Sequence, residues 1–189
     1  MTTFAAGSTP GTDDGTRRQV LISIAIGIMG LVGLGVAGTL LTTSSGAHFD
    51  HGGDYLLTAS GLPIAVAGIG TLLGVHRLHH GADGRLGSIG AWLGSLALAE
   101  LFVQLLASVL TSTEQQWGPS YIVFTGLAFL GHALLASGSW RARLLPRWML
   151  GVWPLLWVLG SFAAVWGPLP LLLIAFYVAL GARLTRPQR

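Results

Sequence analysis

Six apolar runs, separated by short polar stretches, account for most of the chain: Val20–Leu41, Leu56–Val75, Leu86–Leu110, Ser120–Ala136, Trp148–Trp166 and Pro168–Leu184. None alternates apolar and polar residues with period two, which excludes membrane β-strands. A helix needs about 20 apolar residues to cross a hydrocarbon core of about 30 Å, within a range of about 17–25. All six runs fit, the fourth and sixth at the short end. The pattern therefore predicts an all-α bundle of six transmembrane helices in a single domain, residues 17–189. Residues 1–16 are small and polar, with Asp13 and Asp14, and predict a disordered tail. Pro154 interrupts the fifth run and predicts a kink there, because it lacks an N–H for the helical ladder. Gly167-Pro168 leaves a very tight turn between the last two runs.

The basic residues orient this bundle. Arg17 and Arg18 precede the first run, and Arg77 and Arg85 lie between the second and third. Arg141, Arg143 and Arg147 lie between the fourth and fifth, and Arg183, Arg186 and Arg189 end or follow the sixth. The loops after the first, third and fifth runs hold no arginine, so a six-span chain carries every positive charge on one side. Short cytoplasmic loops are enriched in arginine and lysine, which predicts that both termini are cytoplasmic (N-in, C-in). A different helix count would scatter the charges, so count and orientation support each other. Aromatic residues agree: Tyr55, Trp117, Tyr121 and Trp166 fall at the expected outer interface, and Trp140 and Trp148 at the inner one. Thr16-Arg17-Arg18-Gln19-Val20-Leu21 is similar to a twin-arginine export motif, and Ser45-Gly46-Ala47 to a cleavage site. The apolar run between them exceeds the usual signal core of about 7–15 residues, so the first run reads as an uncleaved helix.

Composition narrows the class. Only 9% of the 189 residues are charged, against roughly a quarter in soluble domains, and the mean hydropathy is +0.68. The partner this surface requires is the lipid bilayer. The absence of cysteine excludes disulfides, thiolate metal sites and cysteine nucleophiles. All ten basic residues are arginine and 28 residues are glycine; this bias points to a high-GC bacterial genome and hence to a bacterial cytoplasmic membrane. A pI near 10.2 would fit a nucleic-acid binder, but the arginines sit in short loops between spans and read as topology signals, so no nucleic-acid partner is expected.

Ionisable residues inside spans mark function by default, because burying them in hydrocarbon costs a few kcal/mol even on lenient scales of about 2.5–3.5. Glu100 lies about ten residues from the outer end of the third run, roughly 15 Å deep at 1.5 Å per residue. Glu100, Gln104 and Ser108 recur every fourth residue and predict one polar stripe, which Gly90, Gly94 and Ala97 extend inward. His132 lies about twelve residues into the fourth run, roughly 18 Å deep. The short loop between these runs makes them antiparallel neighbours. Glu100 and His132 then come within about 3 Å in depth, a candidate hydrogen-bonded pair, with Thr125 on the same face as His132. The readings are a proton-handling or small-ligand site built from Glu100, Gln104 and His132, or a neutral pair that ties the hairpin together.

Two histidine clusters lie in loops. His48, Asp50, His51 and Asp54 offer imidazole and carboxylate ligands of the kind Zn²⁺ and other divalent ions take; this outer loop is the candidate metal site, made flexible by Gly52-Gly53. His76-Arg77-Leu78-His79-His80 has the H-x-x-H-H spacing of membrane di-iron desaturases and hydroxylases. Those enzymes gather several such boxes on one side of the membrane, whereas this chain has six histidines in all, split between two sides. The segment reads instead as a basic loop facing lipid headgroups.

Gly27, Gly30, Gly33, Gly35 and Gly38, Gly70-x-x-x-Gly74 and Gly90-x-x-x-Gly94 supply small faces where helices approach closely, either within the bundle or against a homo-oligomeric or other membrane-protein partner. Ser139-Trp140-Arg141-Ala142-Arg143-Leu144-Leu145-Pro146-Arg147-Trp148, running into an apolar helix, resembles a loop-and-helix pattern of uncharacterised multi-pass membrane proteins of high-GC bacteria. The resemblance covers the last half of the chain, implies no activity and carries over no site residues. The expected function is non-enzymatic: a polytopic protein that binds a partner or small ligand at a midplane polar site. The alternatives are an intramembrane acid–base enzyme on a lipid or isoprenoid substrate, with Glu100 as acid or base, a proton-coupled transporter, and a structural subunit.

Overall fold

The computed structural model describes residues 10–43, 48–114, 118–142, 144–163 and 169–185. They form six helices: α1 (Pro10–Leu40), α2 (Gly52–Leu78), α3 (Gly84–Thr111), α4 (Pro119–Ala142), α5 (Arg147–Ala163) and α6 (Leu169–Thr185). The chain is an all-α membrane protein: α1 to α4 are each long and apolar enough to cross a bilayer. α5 and α6 are 17 residues each, about 26 Å at 1.5 Å per residue, at the lower limit for a span. Ser45-Gly46-Ala47, Trp117, Arg143, Trp166, the Gly167-Pro168 turn, Arg186 and Arg189 lie outside the described residues, as does the first part of the expected tail.

Two helix boundaries differ from expectation. α1 starts at Pro10, inside the segment expected to be disordered. Proline suits a first helical position, where its missing N–H has no partner to lose. α4 runs on past Ala136 to Ala142. The polar Ser137 that seemed to end the apolar run turns its Oγ back to donate to the Ala133 carbonyl at 2.7 Å, which keeps its hydroxyl satisfied within the helix.

Each helix packs on the next in sequence, and α6 returns to α1, closing a ring. Neighbours are antiparallel. Along α1 and α2, Val20 meets Gly74, Ser23 meets Gly70, Gly27 meets Ala67 and Gly33 meets Ser60. The described arginines thereby gather at one end of the bundle, where Arg77 Nη1 donates to Gln19 Oε1 at 3.4 Å and the Arg147 guanidinium stands 5.7 Å over the Trp140 ring. At the opposite end, Phe49 N donates to Ser112 O at 2.9 Å and Tyr55 Oη donates to Ser112 Oγ at 2.6 Å. These bonds fasten the α1–α2 loop to the end of α3.

The tightest approach is between α3 and α4. A Cβ on Gly131 would collide with the Gly94 backbone, and one on Gly90 with the Leu135 nitrogen. Gly27, Gly30 and Gly33 of α1, Gly70 and Gly74 of α2, and Gly90 and Gly94 of α3 are thus engaged inside the bundle, whereas Gly35 meets nothing within 4 Å; at the engaged positions backbone proximity replaces the hydrophobic drive that lipid does not provide. Aromatic rings fill the centre. Trp153 of α5 lies 6.2 Å from Phe176 of α6, Phe176 lies 6.1 Å from Tyr177, and Tyr177 reaches Gly27 of α1.

Gly131→Val is expected to lower the thermal unfolding midpoint in detergent substantially, since overpacking a close contact costs about 1–3 kcal/mol or more. Gly126→Val on the same helix, with nothing within 4 Å of its added carbon, should leave the midpoint nearly unchanged. Equal melts for the two variants would remove the α3–α4 glycine contact as the anchor of the fold.

Candidate functional site

The α3–α4 contact fixes where the expected midplane residues go. Because Gly94 meets Gly131 and Gly87 meets Gly138, His132 lies level with residue 93 of α3. That is seven residues from Glu100, about 10 Å along the helix, and not the small offset expected from counting inward from the helix ends. His132 also faces another way. Its ring stacks on Trp157 of α5, with centroids 5.1 Å apart and planes at 10°, and meets Trp153 edge-on at 5.4 Å. Nδ1 donates to the Ala128 carbonyl at 2.7 Å and Nε2 has no partner, so no hydrogen bond joins His132 to Glu100. A carbonyl only accepts, so the neutral ring carries its proton on Nδ1 and leaves a lone pair on Nε2. What His132 offers is one buried acceptor, fully enclosed, walled by two indoles.

Glu100 lies on the other side of α3. It is partly exposed, between Leu96 at 65% and Val103 at 56% exposure, and among the described residues it has no hydrogen-bond or ion-pair partner. The expected polar stripe turns along its length, because a step of four residues overshoots a full helical turn by about 40°. Ser108, two such steps on, is fully buried, and its Oγ donates to the Gln104 carbonyl at 2.9 Å. Gln104, midway, buries both amide atoms without a partner. Glu100 thus lies about a quarter turn or more away from the face on which Gly90 and Gly94 meet α4. The structure keeps the stripe but does not join it to His132.

The candidate metal loop is dispersed. Asp54 is buried at the start of α2, where its Oδ2 accepts from the His51 backbone N–H at 2.9 Å. That carboxylate satisfies a helix-start amide and reinforces the favourable placement of negative charge at an N-terminus. His51 Nδ1 is 3.9 Å from the same oxygen, and His48 and Asp50 are exposed. Among the described residues no three His, Asp or Glu side chains converge closely enough to hold a metal ion.

A polar cluster that sequence reasoning missed sits at the arginine-bearing end. His76 at the end of α2 donates from Nδ1 to Asp83 Oδ2 at 2.6 Å, across a turn that carries the chain into α3. The Asp83 side chain is fully inaccessible, pressed between Gly87 of α3 and Gly138 of α4, where a Cβ on Gly87 would strike its carboxylate and one on Gly138 its carbonyl. The turn reverses through positive φ at His80, Gly81 and Gly84, and the two glycines adopt it without steric cost. His79 does not face headgroups as expected: it is 4% exposed, with Nδ1 donating to Val75 O at 2.6 Å. His79 Nε2 and Asp83 Oδ1 are both buried acceptors without partners. The available signal was His76 and Asp83 flanking a glycine-bearing turn, seven residues apart. His80 and Arg77 are exposed, as expected of this loop.

No protein-family model, curated protein or solved structure matches the chain.

Burial holds the His79 pKa below its ordinary value of 6.5, against the opposing pull of the Val75 carbonyl and the Asp83 carboxylate. A histidine with a depressed folded-state pKa favours the fold while it is neutral. Its contribution is present above pH 6.5 and is lost as pH falls below that value through the folded pKa. The thermal midpoint in detergent is expected to fall as pH drops below about 6.5, and His79→Gln, which binds no proton, should show a shallower fall. Identical slopes for the two proteins would dissociate His79 from acid sensitivity.

Proposed function

We propose that this chain is a non-enzymatic, multi-pass protein of a bacterial cytoplasmic membrane, N-in and C-in, that binds a membrane-embedded partner through the lipid-facing side of α3. The observation that carries the reading is Glu100. It is the one acid or base among the described residues that lies away from the helix ends on the membrane-facing surface, and no described group within the chain satisfies it. An acid at that depth costs a monomer a few kcal/mol, about 2.5–3.5 on insertion scales. Other polar groups on that surface look after themselves: Thr39 Oγ1 donates to the Gly35 carbonyl and Ser137 Oγ to that of Ala133. A carboxyl that no described group of its own chain satisfies is met by a partner. The grouping of the described arginines at one end supports the cytoplasmic assignment of that end.

Two experiments test this. With no native cysteine, single-cysteine variants report topology cleanly. A membrane-impermeant maleimide applied to intact cells should label Asp50→Cys but not Ala82→Cys, and the reverse result would invert the orientation. Solubilised gently, the wild-type protein should have a protein mass, after correction for detergent, above the 19.7 kDa of one chain. Glu100→Leu should shift it toward the monomer and Glu100→Gln should not. A wild type that is monomeric under every mild condition would overturn the binding role.

A further inference from the structure

Glu100 lies within a longer pattern on the same face. Ile89, Leu93, Leu96, Glu100, Val103, Ala107 and Leu110 succeed one another at alternating steps of four and three residues. All seven are at least partly exposed, and Ile89, Leu96, Val103 and Leu110 are more than half exposed. A strict seven-residue repeat is the seam of a left-handed helix pair, in which side chains of one helix insert between those of the other. Among the described residues no helix covers that seam: α2 meets α3 at Leu98 and Leu105, and α4 meets it at Gly90 and Gly94.

We infer that a second copy of this chain covers this seam, α3 against α3, about a two-fold axis normal to the membrane. The argument rests on the reading of Glu100 as a contact residue and adds the identity of what it contacts. A two-fold contact sets each residue near its own counterpart at the same depth. Each Glu100 therefore meets the one other group that the seam itself guarantees at that level. The two carboxyl groups satisfy each other across the axis by sharing protons, the O–H of one donating to an oxygen of its counterpart. Interhelical hydrogen bonds of this kind associate helices in lipid, where apolar surface alone gives no net drive. The remaining seam positions are apolar on both sides and self-complementary, and Ala107 is small enough to admit close approach about two turns from the axis contact. A different apolar helix would match the seam and leave the acid unpaired.

The test uses oxidative cross-linking in native membranes. Leu96→Cys and Val103→Cys should each give a covalent species of twice the chain mass on treatment with copper phenanthroline. Met29→Cys, equally exposed on α1, should give none. In the Val103→Cys background, Glu100→Ala should weaken dimerisation by roughly 3- to 30-fold, the equivalent of one interhelical hydrogen bond in a membrane. Glu100→Gln, which keeps a hydrogen-bonding pair, should leave it close to that of the parent, and this variant distinguishes a lost contact from a misfolded chain. Equal cross-linking at Met29 and Val103 would overturn the inference. A photoreactive residue at Val103 separates the remaining failures. Capture of a different membrane protein and no self-product would overturn self-pairing and leave the binding role standing, whereas capture of lipid alone would overturn both.

Discussion

At Gly94 and Gly131 two helix backbones come into contact, and the rotation of both α3 and α4 about their axes is set there. Either helix can turn only by driving a side chain into the backbone of the other. With α3 held by Gly90 and Gly94, Leu98 and Leu105 are carried to α2 and Leu96, Glu100 and Val103 to lipid. With α4 held by Gly131 and Gly138, His132 is carried to the indoles of α5. Rotating α3 far enough to bury Glu100 would pull the glycine face off α4. In a bilayer, where packing is the main attraction between apolar helices, the bundle keeps the backbone contact and leaves the acid at its rim.

The same constraint reaches the arginine-bearing end. Gly138 and Gly87, further along the α3–α4 contact, leave a slot that encloses Asp83, and the enclosed carboxylate draws His76 over the turn. The side chain with which Asp83 would ordinarily cap α3 is thus given to a hydrogen bond with His76 that spans the connection, and no side-chain cap is made. The α2–α3 connection is a built clasp, and it encloses two buried acceptors without partners, His79 Nε2 and Asp83 Oδ1.

The spans were legible because lipid imposes length and apolarity on them directly, and the arginine pattern supplied an independent check on their number. What could not be read was azimuth and register. Counting from the ends of apolar runs placed Glu100 and His132 at one depth, but α4 starts with residues whose level on α3 is set by the glycine contact and not by where hydrophobicity begins. The four-residue spacing of Glu100, Gln104 and Ser108 was real. The drift of that row around the helix, which carries Ser108 inward and Glu100 outward, decides its meaning and depends on which neighbour the glycines select. The loop histidines divided on similar grounds. Asp54 was taken up by the start of α2, a demand visible from its place in the first turn, whereas the burial of Asp83 depended on two glycines from separate helices meeting above it.

A polar residue in an apolar helix seam is often a device for register, because it destabilises every arrangement except the one in which it is matched. For the proposed α3 pair the cost falls on the separated chain. Inside the ring an unpaired group such as His132 Nε2 is a single acceptor enclosed by indole rings. Glu100 has no such shelter: its neighbours on that face of α3, Leu96 and Val103, are exposed apolar side chains. In the proposed pair its unfavourable environment raises the energy of the monomer and not of the dimer, and the two glycines that turn it outward would by that route also favour association. Folding of the hairpin and the proposed pairing are in this way referred to one close contact between α3 and α4.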